Sequence, residues 1–418
     1  MEKLLFLGNN CHVDEMIKHA KERGVYTIVT DNLPVEKSPE KGMADEAWDI
    51  SVVDIDALEK KCREEGVTAV LAGAGETCIE ANKELCKRLG LHFYAEDETL
   101  AIVNDKTEFK KVCAECGMEV PMDYKLDIEL KKEDIKKIKY PVVVKPVDGC
   151  SSIGLHICYN EQELIEGYKD AYEKSDKHKV VVEEYIEGEL AGYIVVVKNG
   201  VCELAGCGDD VKEYRNGQRR VFGFLPSKHI KLFENYKPNI DKMLTKIGCK
   251  EGICGLQFLT DSKRFAIIEM NYRLPGGKYP FEDLLCNTML DTVLEEKKNQ
   301  PCNAKAAMQM YSYAFWLNPG TIKEIKGIDK IKEQIPGIQI QQVKQVGHVV
   351  EPDTAMRMIF GFILFSCKSE DYDKCLNIIN SNLEVISESG ESMTCPFEYS
   401  RKGYAVKVGD VESVGLAV

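Results

Sequence analysis

Residues 140–154 read Tyr-Pro-Val-Val-Val-Lys-Pro-Val-Asp-Gly-Cys-Ser-Ser-Ile-Gly, a short apolar run that delivers Lys145 to a loop of small residues. Val142, Val143 and Val144 are β-branched and the run is brief, so a buried strand is expected rather than a helix. Asp148 to Gly154 then forms the loop, and Leu155 to Cys158 the returning strand. A lysine ammonium at such a position pairs with phosphate oxygens as a point charge. Gly149, Ser151, Ser152 and Gly154 are small enough for backbone N–H groups to close over those oxygens. Alone, a Gly/Ser loop between two strands is an ordinary hairpin, and no Gly-Lys-Ser/Thr opens a helix here, so this is not a Walker A loop. Cys150 reads first as a small residue filling the loop.

Three further features follow in order. Val182-Glu183-Glu184-Tyr185-Ile186-Glu187-Gly188 is an apolar strand running into an acidic turn. An edge backbone of this kind reads a nucleobase through main-chain hydrogen bonds, while carboxylates meet an amino group or a ribose. Next come Gly255-Leu256-Gln257-Phe258 and Ile267-Ile268-Glu269-Met270-Asn271. Strand alternation sets Gln257 apart from Leu256 and Phe258 and puts Glu269 and Asn271 on one face. Three oxygen donors can then converge on a hard cation, with magnesium bridging nucleotide phosphates the natural occupant. A carboxylate among Ile267, Ile268 and Met270 is costly to bury without a partner, which favours a site over an accident. Last is Arg273, followed by Leu274-Pro275-Gly276-Gly277-Lys278. An arginine beside a metal neutralises charge on a transferred phosphoryl group. The glycine pair frees backbone N–H groups for an anion or permits a sharp turn.

Upstream the texture differs. Lys3 to Leu7, Tyr26 to Thr30 and Ala69 to Ala72 read as buried strands. Val13 to Arg23, Ile55 to Glu65 and Thr77 to Leu89 read as helices closed by Gly24, Gly66 and Gly90. This rhythm implies a parallel sheet covered on both faces. Ligands of such sheets sit at the carboxyl ends of the strands, here Gly8-Asn9-Asn10, Asp31 and Ala72-Gly73-Ala74-Gly75-Glu76. Asp31 resembles the ribose-binding acid of a dinucleotide fold, but the first loop has one glycine where that fingerprint needs three, so the dinucleotide reading is disfavoured.

The chain has 418 residues, enough for two to four packed domains. Its net charge of −14 argues against nucleic acid or an anionic membrane as the main partner. The 17 cysteines lack disulfide-module spacing, and the apolar run at Leu4 to Leu7 is too short for a signal peptide, so reduced thiols in a cytoplasmic protein are expected. Cys113-Ala114-Glu115-Cys116 lies in a helix pattern with no second pair at zinc spacing, which disfavours metal binding there.

In their order these features resemble the ATP-grasp superfamily, in the branch of biotin carboxylase, the carbamoyl phosphate synthetase large subunit and the L-amino acid ligases. The resemblance covers about residues 3 to 290. It continues more loosely into the C-terminal domain of the amino acid ligases, on Gly347-His348-Val349-Val350-Glu351-Pro352 and Phe360-Gly361-Phe362. It implies an α/β protein, with a doubly wound parallel-sheet domain over 1–100 and an ATP-grasp N-lobe with its lid loop over 101–186. A C-lobe with the metal site over 187–300 and a smaller α+β domain over 301–418 follow. The implied roles are ATP phosphates on Lys106, Lys145 and the lid residues Gly149, Ser151, Ser152 and Gly154. Glu183 and the main chain of Glu184 and Ile186 would meet adenine. Magnesium, or manganese, would sit on Gln257, Glu269 and Asn271, with Arg273 and Lys145 acting on the phosphoryl group.

Many members of the superfamily carry glutamate where Gln257 stands, which lowers ligand charge. Leu190 stands at the usual ribose contact and cannot hydrogen-bond a hydroxyl, leaving Glu189 or Glu187 for that task. The implied reaction is ATP-dependent ligation of a carboxylate to an amine through an acyl phosphate, on amino acids or related metabolites. The alternatives are a kinase of the same fold or a nucleotide-binding regulator with reduced catalysis, and a homodimer is compatible. The segment Tyr214 to Leu225 places Arg215, Arg219 and Arg220 around Asn216-Gly217. These arginines suit a substrate carboxylate or an exposed hairpin turn equally, and Gly276 and Gly277 are further substrate candidates. His229 and His348 read as surface or packing residues.

Overall fold

The computed structural model describes residues 2–149, 153–215, 218–226, 229–260, 264–279, 281–295, 310–351, 358–367 and 371–395, without the side chains of 210–226 and 310. The N-terminal sheet has four strands, and every pairing in it is parallel. Its strands are Lys3–Leu7, Tyr26–Thr30, Glu46–Trp48 and Ala69–Ala72, with the first lying between the second and the fourth. Both faces are buried, as a parallel sheet requires. Leu4, Phe6, Val29 and Leu71 enter one apolar core, while Leu5, Leu7, Ile28 and Val70 enter another. Gly66 and Gly90 close their helices at φ 68° and 69°, where a Cβ would be strained.

The helix Asp97–Val103 spans the expected boundary at residue 100. A second sheet of four strands contains Val142–Pro146 at its centre, between His156–Cys158 and Val180–Glu184. A third runs continuously from Phe265–Asn271 through Glu251–Thr260, Glu189–Lys198, Val201–Arg215 and Gln218–Pro226 to Met310–Leu317 and Ile359–Ser366. The sheet therefore joins the 187–300 region to the C-terminal segment. The core that holds Leu4 and Phe6 also contains Ile253, Leu256, Phe258 and Ile267, so the N-terminal sheet and the third sheet share one apolar interior.

Among the described residues no helix is long and apolar enough to cross a membrane. The described cysteines are free thiols. Cys113 and Cys116 are both buried, and Cys113 Sγ lies 3.3 Å from Met243 Sδ, a packing contact rather than a metal site.

Candidate active site

Lys106 begins the helix Lys106–Glu115, capped by Asp105, and its Nζ donates to the carbonyl of Gly149 at 2.5 Å. The first lysine and the base of the lid loop are thus brought together. Asp148 anchors that base by accepting from Ser175 Oγ at 2.7 Å and from the Lys177 N–H at 2.9 Å. Gly154 takes φ +70°, and a Cβ there would meet Pro146 at 3.0 Å. Ser151, Ser152 and Cys150 lie outside the described residues.

Lys145 is buried and pairs with Glu183, whose other oxygen accepts from Lys110 Nζ at 2.8 Å. Lys110 also pairs with Asp123. Glu183 is only 3% exposed, so its carboxylate is not open to a nucleobase, contrary to expectation. A buried carboxylate needs counter-charge, and the two lysines supply it. Burial alone would raise the Glu183 pKa, but Lys145 and Lys110 outweigh it and hold it below the ordinary 4.5. Lys110 was not singled out from the sequence. Its signal was the spacing of four from Lys106, one helical turn.

Glu184 is likewise occupied. Its side chain accepts from the Met122 N–H at 2.8 Å and from Arg264 at 2.8 and 3.0 Å, and its own N–H donates to the Met122 carbonyl at 2.9 Å. Arg264, which also pairs with Glu119, straps this strand to the third sheet. Ile186 lies beyond the strand end at Glu184, with its backbone outside the ladder. Leu190 is buried and pairs with Leu259 in the ladder. Glu189 beside it accepts from His229 Nε2 at 3.0 Å, which makes His229 more than a packing residue.

Gln257 stands opposite Glu269 in the antiparallel ladder, and Gly255 opposite Asn271. All three polar side chains are half-buried while Leu256, Phe258 and Met270 turn inward. Asn271 Nδ2 donates to Glu269 Oε1 at 3.2 Å, leaving the amide oxygen and the second carboxylate oxygen for another partner. Arg273 Nε donates to Glu76 Oε1 at 2.7 Å. Glu76 opens the helix Glu76–Leu89 behind the loop Gly73 to Gly75. That loop packs so tightly on the first one that a Cβ at Gly73 would lie 2.0 Å from Asn10 Oδ1.

Pro275 to Lys278 is docked onto the N-terminal domain. His12 is buried, with one ring nitrogen 2.8 Å from the Pro275 carbonyl and the other 2.7 Å from Glu282 Oε1. Lys278 donates to Asp14 at 2.8 Å and to Glu282 at 2.6 Å. His12, Glu282 and Cys286 lie close enough to hold an ion, but these bonds already satisfy the first two. The Gly276 carbonyl accepts from Tyr279, and Gly277 takes φ +106° against Phe362. Arg219 and Arg220 lie on one arm of a hairpin, opposite Tyr214 and Glu213, and only their backbone is described. Asp31, for which the dinucleotide reading was already disfavoured, is bonded locally to Ser38, the Leu33 N–H and Lys41.

A lysine-delivering strand, a capped lysine helix, a hinge strand and a polar ladder ending near Arg273 thus fall together between residues 105 and 277. Residues 105–277 match the family described as "Carbamoyl-phosphate synthase L chain, ATP binding domain". Among curated relatives, the 2-oxoglutarate carboxylase small subunit of Hydrogenobacter thermophilus is 26% identical over 277 residues, 62% of this chain and 58% of that one. The chain spans between 27% and 58% of the length of the first such relatives. The biotin carboxylase domain of the Hydrogenobacter enzyme, solved with MgADP and bicarbonate, superposes with a TM-score of 0.76 at 20% identity, covering 94% of this chain and 91% of its own. The L-amino acid ligase of Bacillus licheniformis gives 0.69 at 15% identity, covering 93% of this chain and 99% of its own. At these identities the superpositions establish the fold.

Proposed function

We propose that the protein is an ATP-dependent carboxylate–amine ligase acting on amino acids or similar small metabolites. The observation that carries this is the polar end of the third sheet. Gln257 and Glu269 face each other, Asn271 braces Glu269, and Arg273 follows two residues on, beside the N-terminal loops. The donor set fits a hard divalent cation, magnesium or manganese, since it offers amide and carboxylate oxygens and one formal charge. When bound, that cation would neutralise and align the phosphates of ATP.

The chain's own groups supply positioning and charge. Lys106, Lys145 and the N–H groups around Gly149 and Gly154, with Ser151 and Ser152, hold phosphate oxygens. The main chain at Glu184 and Ile186 borders the base, and Glu189 with His229 borders the ribose. In the first step a substrate carboxylate oxygen bonds to the γ-phosphorus and ADP leaves. Arg273 offsets the charge on the acyl phosphate. In the second step an amine nitrogen bonds to the acyl carbon, phosphate leaves and the nitrogen gives up a proton. Arg219, Arg220 and the Gly276-Gly277 backbone are positioned in sequence to meet substrate carboxylates. No covalent protein intermediate is required.

The test is phosphate release from Mg-ATP with panels of carboxylates and amines. Release that depends on both partners, with a new amide in the products, is the expected result. Release with a carboxylate or hydroxyl compound alone, yielding a stable phosphorylated product, would instead make the protein a kinase.

Arg264→Met provides a second check. It frees Glu184 and loosens the hinge strand, and loss of about 1 kcal/mol of ion-pair support would weaken nucleotide binding about fivefold. Calorimetric titration with AMP-PNP reads it, and unchanged affinity would remove the strap from the account.

A further inference from the structure

We propose that Glu76 of the N-terminal domain is the positioning residue of Arg273, holding its guanidinium in the orientation in which it meets the phosphoryl group. What Arg273 meets rests on the ligase reading, whereas the pairing stands on its own geometry.

The main chain on both sides of Arg273 is fixed by residues of the first hundred. Tyr272 is buried and exchanges two hydrogen bonds with Tyr94. Tyr94 Oη donates to the Tyr272 carbonyl at 3.0 Å, and Tyr272 Oη donates to the Tyr94 carbonyl at 3.1 Å. Their rings meet edge to face with centroids 5.2 Å apart. Leu274 is buried, the Pro275 carbonyl lies 2.8 Å from a His12 ring nitrogen, and Lys278 donates to Asp14 at 2.8 Å. His12 itself takes φ 77°, a left-handed conformation that a residue with a Cβ keeps only where its surroundings hold it. Arg273 is left with side-chain freedom alone, and a long arginine side chain has many rotamers to sample.

Two bonds remove that freedom. Nη1 donates to the Leu274 carbonyl at 3.1 Å, and Nε donates to Glu76 Oε1 at 2.7 Å. Of the five guanidinium N–H donors three remain, one on Nη1 and two on Nη2, and among the described residues none of these has a partner. A planar fork held at Nε presents its other donors in one fixed direction. Glu76 is rigidly placed in turn. It is the first residue of the helix Glu76–Leu89, whose positive N-terminal end favours a carboxylate. Just before it, the Gly75 N–H donates to Asn10 Oδ1 at 3.3 Å, and Asn10 Nδ2 donates to the Leu7 carbonyl at 3.2 Å. A Cβ at Gly73 would lie 2.3 Å from the Cys11 carbonyl, so the loop behind Glu76 rests directly on the loop after the first strand.

Stability does not account for the pair. The Glu76 side chain is 58% exposed and that of Arg273 22%, and water screens an ion pair this open, so it adds little to folding. What the carboxylate supplies is direction. A guanidinium already aimed has no reorganisation to undergo when charge develops on a phosphoryl group.

The test uses the full chain. Glu76→Ala is expected to lower kcat for ADP release about a hundredfold, the cost of misaiming a reacting group, with the KM for ATP and the melting temperature unchanged. Glu76→Gln keeps an oxygen that accepts from Nε and is expected to stay within about tenfold of wild type. Added to Arg273→Ala, Glu76→Ala is expected to cost nothing further, because it acts through the guanidinium. Turnover of Glu76→Ala within about threefold of wild type would overturn the proposal. So would a further loss in the Arg273→Ala background. A raised KM for the carboxylate or amine at unchanged kcat would also overturn it, making Glu76 a substrate contact. A second readout needs no turnover. With Mg–AMP-PNP bound, the Arg273 Nε–H proton resonance, assigned by its loss in Arg273→Lys, is expected in wild type and absent in Glu76→Ala. Its absence from wild type, or its persistence in Glu76→Ala, would dissolve the pairing. If no substrate pair supports turnover the ligase reading fails, and the resonance still decides whether Glu76 holds Arg273.

Discussion

Glu269→Gln is expected to lower ATP-dependent turnover by roughly two to three orders of magnitude, the scale seen when a preorganised charge-stabilising group is removed. Glu269 is the single formal negative charge in a set otherwise made of the Gln257 and Asn271 amides. Among the described residues its carboxylate has one hydrogen-bond partner, the Asn271 amide at 3.2 Å, so the substitution breaks no ion pair there and the fold should be retained. Where glutamate would replace Gln257 the remaining carboxylate could share the load, but here it cannot. The variant should therefore bind AMP-PNP with little dependence on magnesium, while the wild type binds it more tightly as magnesium is added. Gln257→Glu is the converse change. It adds ligand charge and should restore part of the magnesium dependence in a Glu269→Gln background. Turnover of Glu269→Gln within about tenfold of wild type would remove this carboxylate from the metal site.

The elements that were legible share one property, a local signal that no distant residue modifies. Lys3–Leu7, Tyr26–Thr30, Ile55–Glu65 and Ala69–Ala72 fall where apolar runs and closing glycines put them. The helix Ile230–Ile247 was not read, because Pro238 inside it carries a breaker signal that tertiary packing of Phe233, Ile240, Met243 and Leu244 overrides. The strands Val201–Arg215 and Gln218–Pro226 pair with each other and are far longer than the turn signal alone suggested. Among the candidate site residues, Lys145, Gln257, Glu269, Asn271 and Arg273 could be singled out because each lies on a patterned strand or just past its end. The partners were not visible. Lys110 looks like a solvated helix residue until the fold brings Glu183 to it across 73 positions. His12 meets Glu282 across 270 positions, and Arg273 meets Glu76 across 197, separations that carry no periodic signature.

Those hidden partners make Glu183→Gln the largest stability change expected in the molecule. The wild-type carboxylate lies between two buried ammonium groups, of which, among the described residues, only Lys110 has a second acid, Asp123. Removing the charge leaves Lys145 buried without a counter-ion, and breaking such a pair costs about 3–5 kcal/mol. The pH dependence follows from the direction of the shift. Because the folded carboxyl titrates below its ordinary 4.5, its contribution is full above that value and is lost as pH falls through the lower, folded one. Urea unfolding of wild type and variant at neutral pH should therefore differ by several kcal/mol, with the gap closing below about pH 4.5. Adding Lys145→Met to Glu183→Gln should recover much of the loss, because the uncompensated charge, rather than the missing bond, is what destabilises. A single-variant cost under about 1 kcal/mol, or no recovery in the double variant, would mean that solvent already screens this pair.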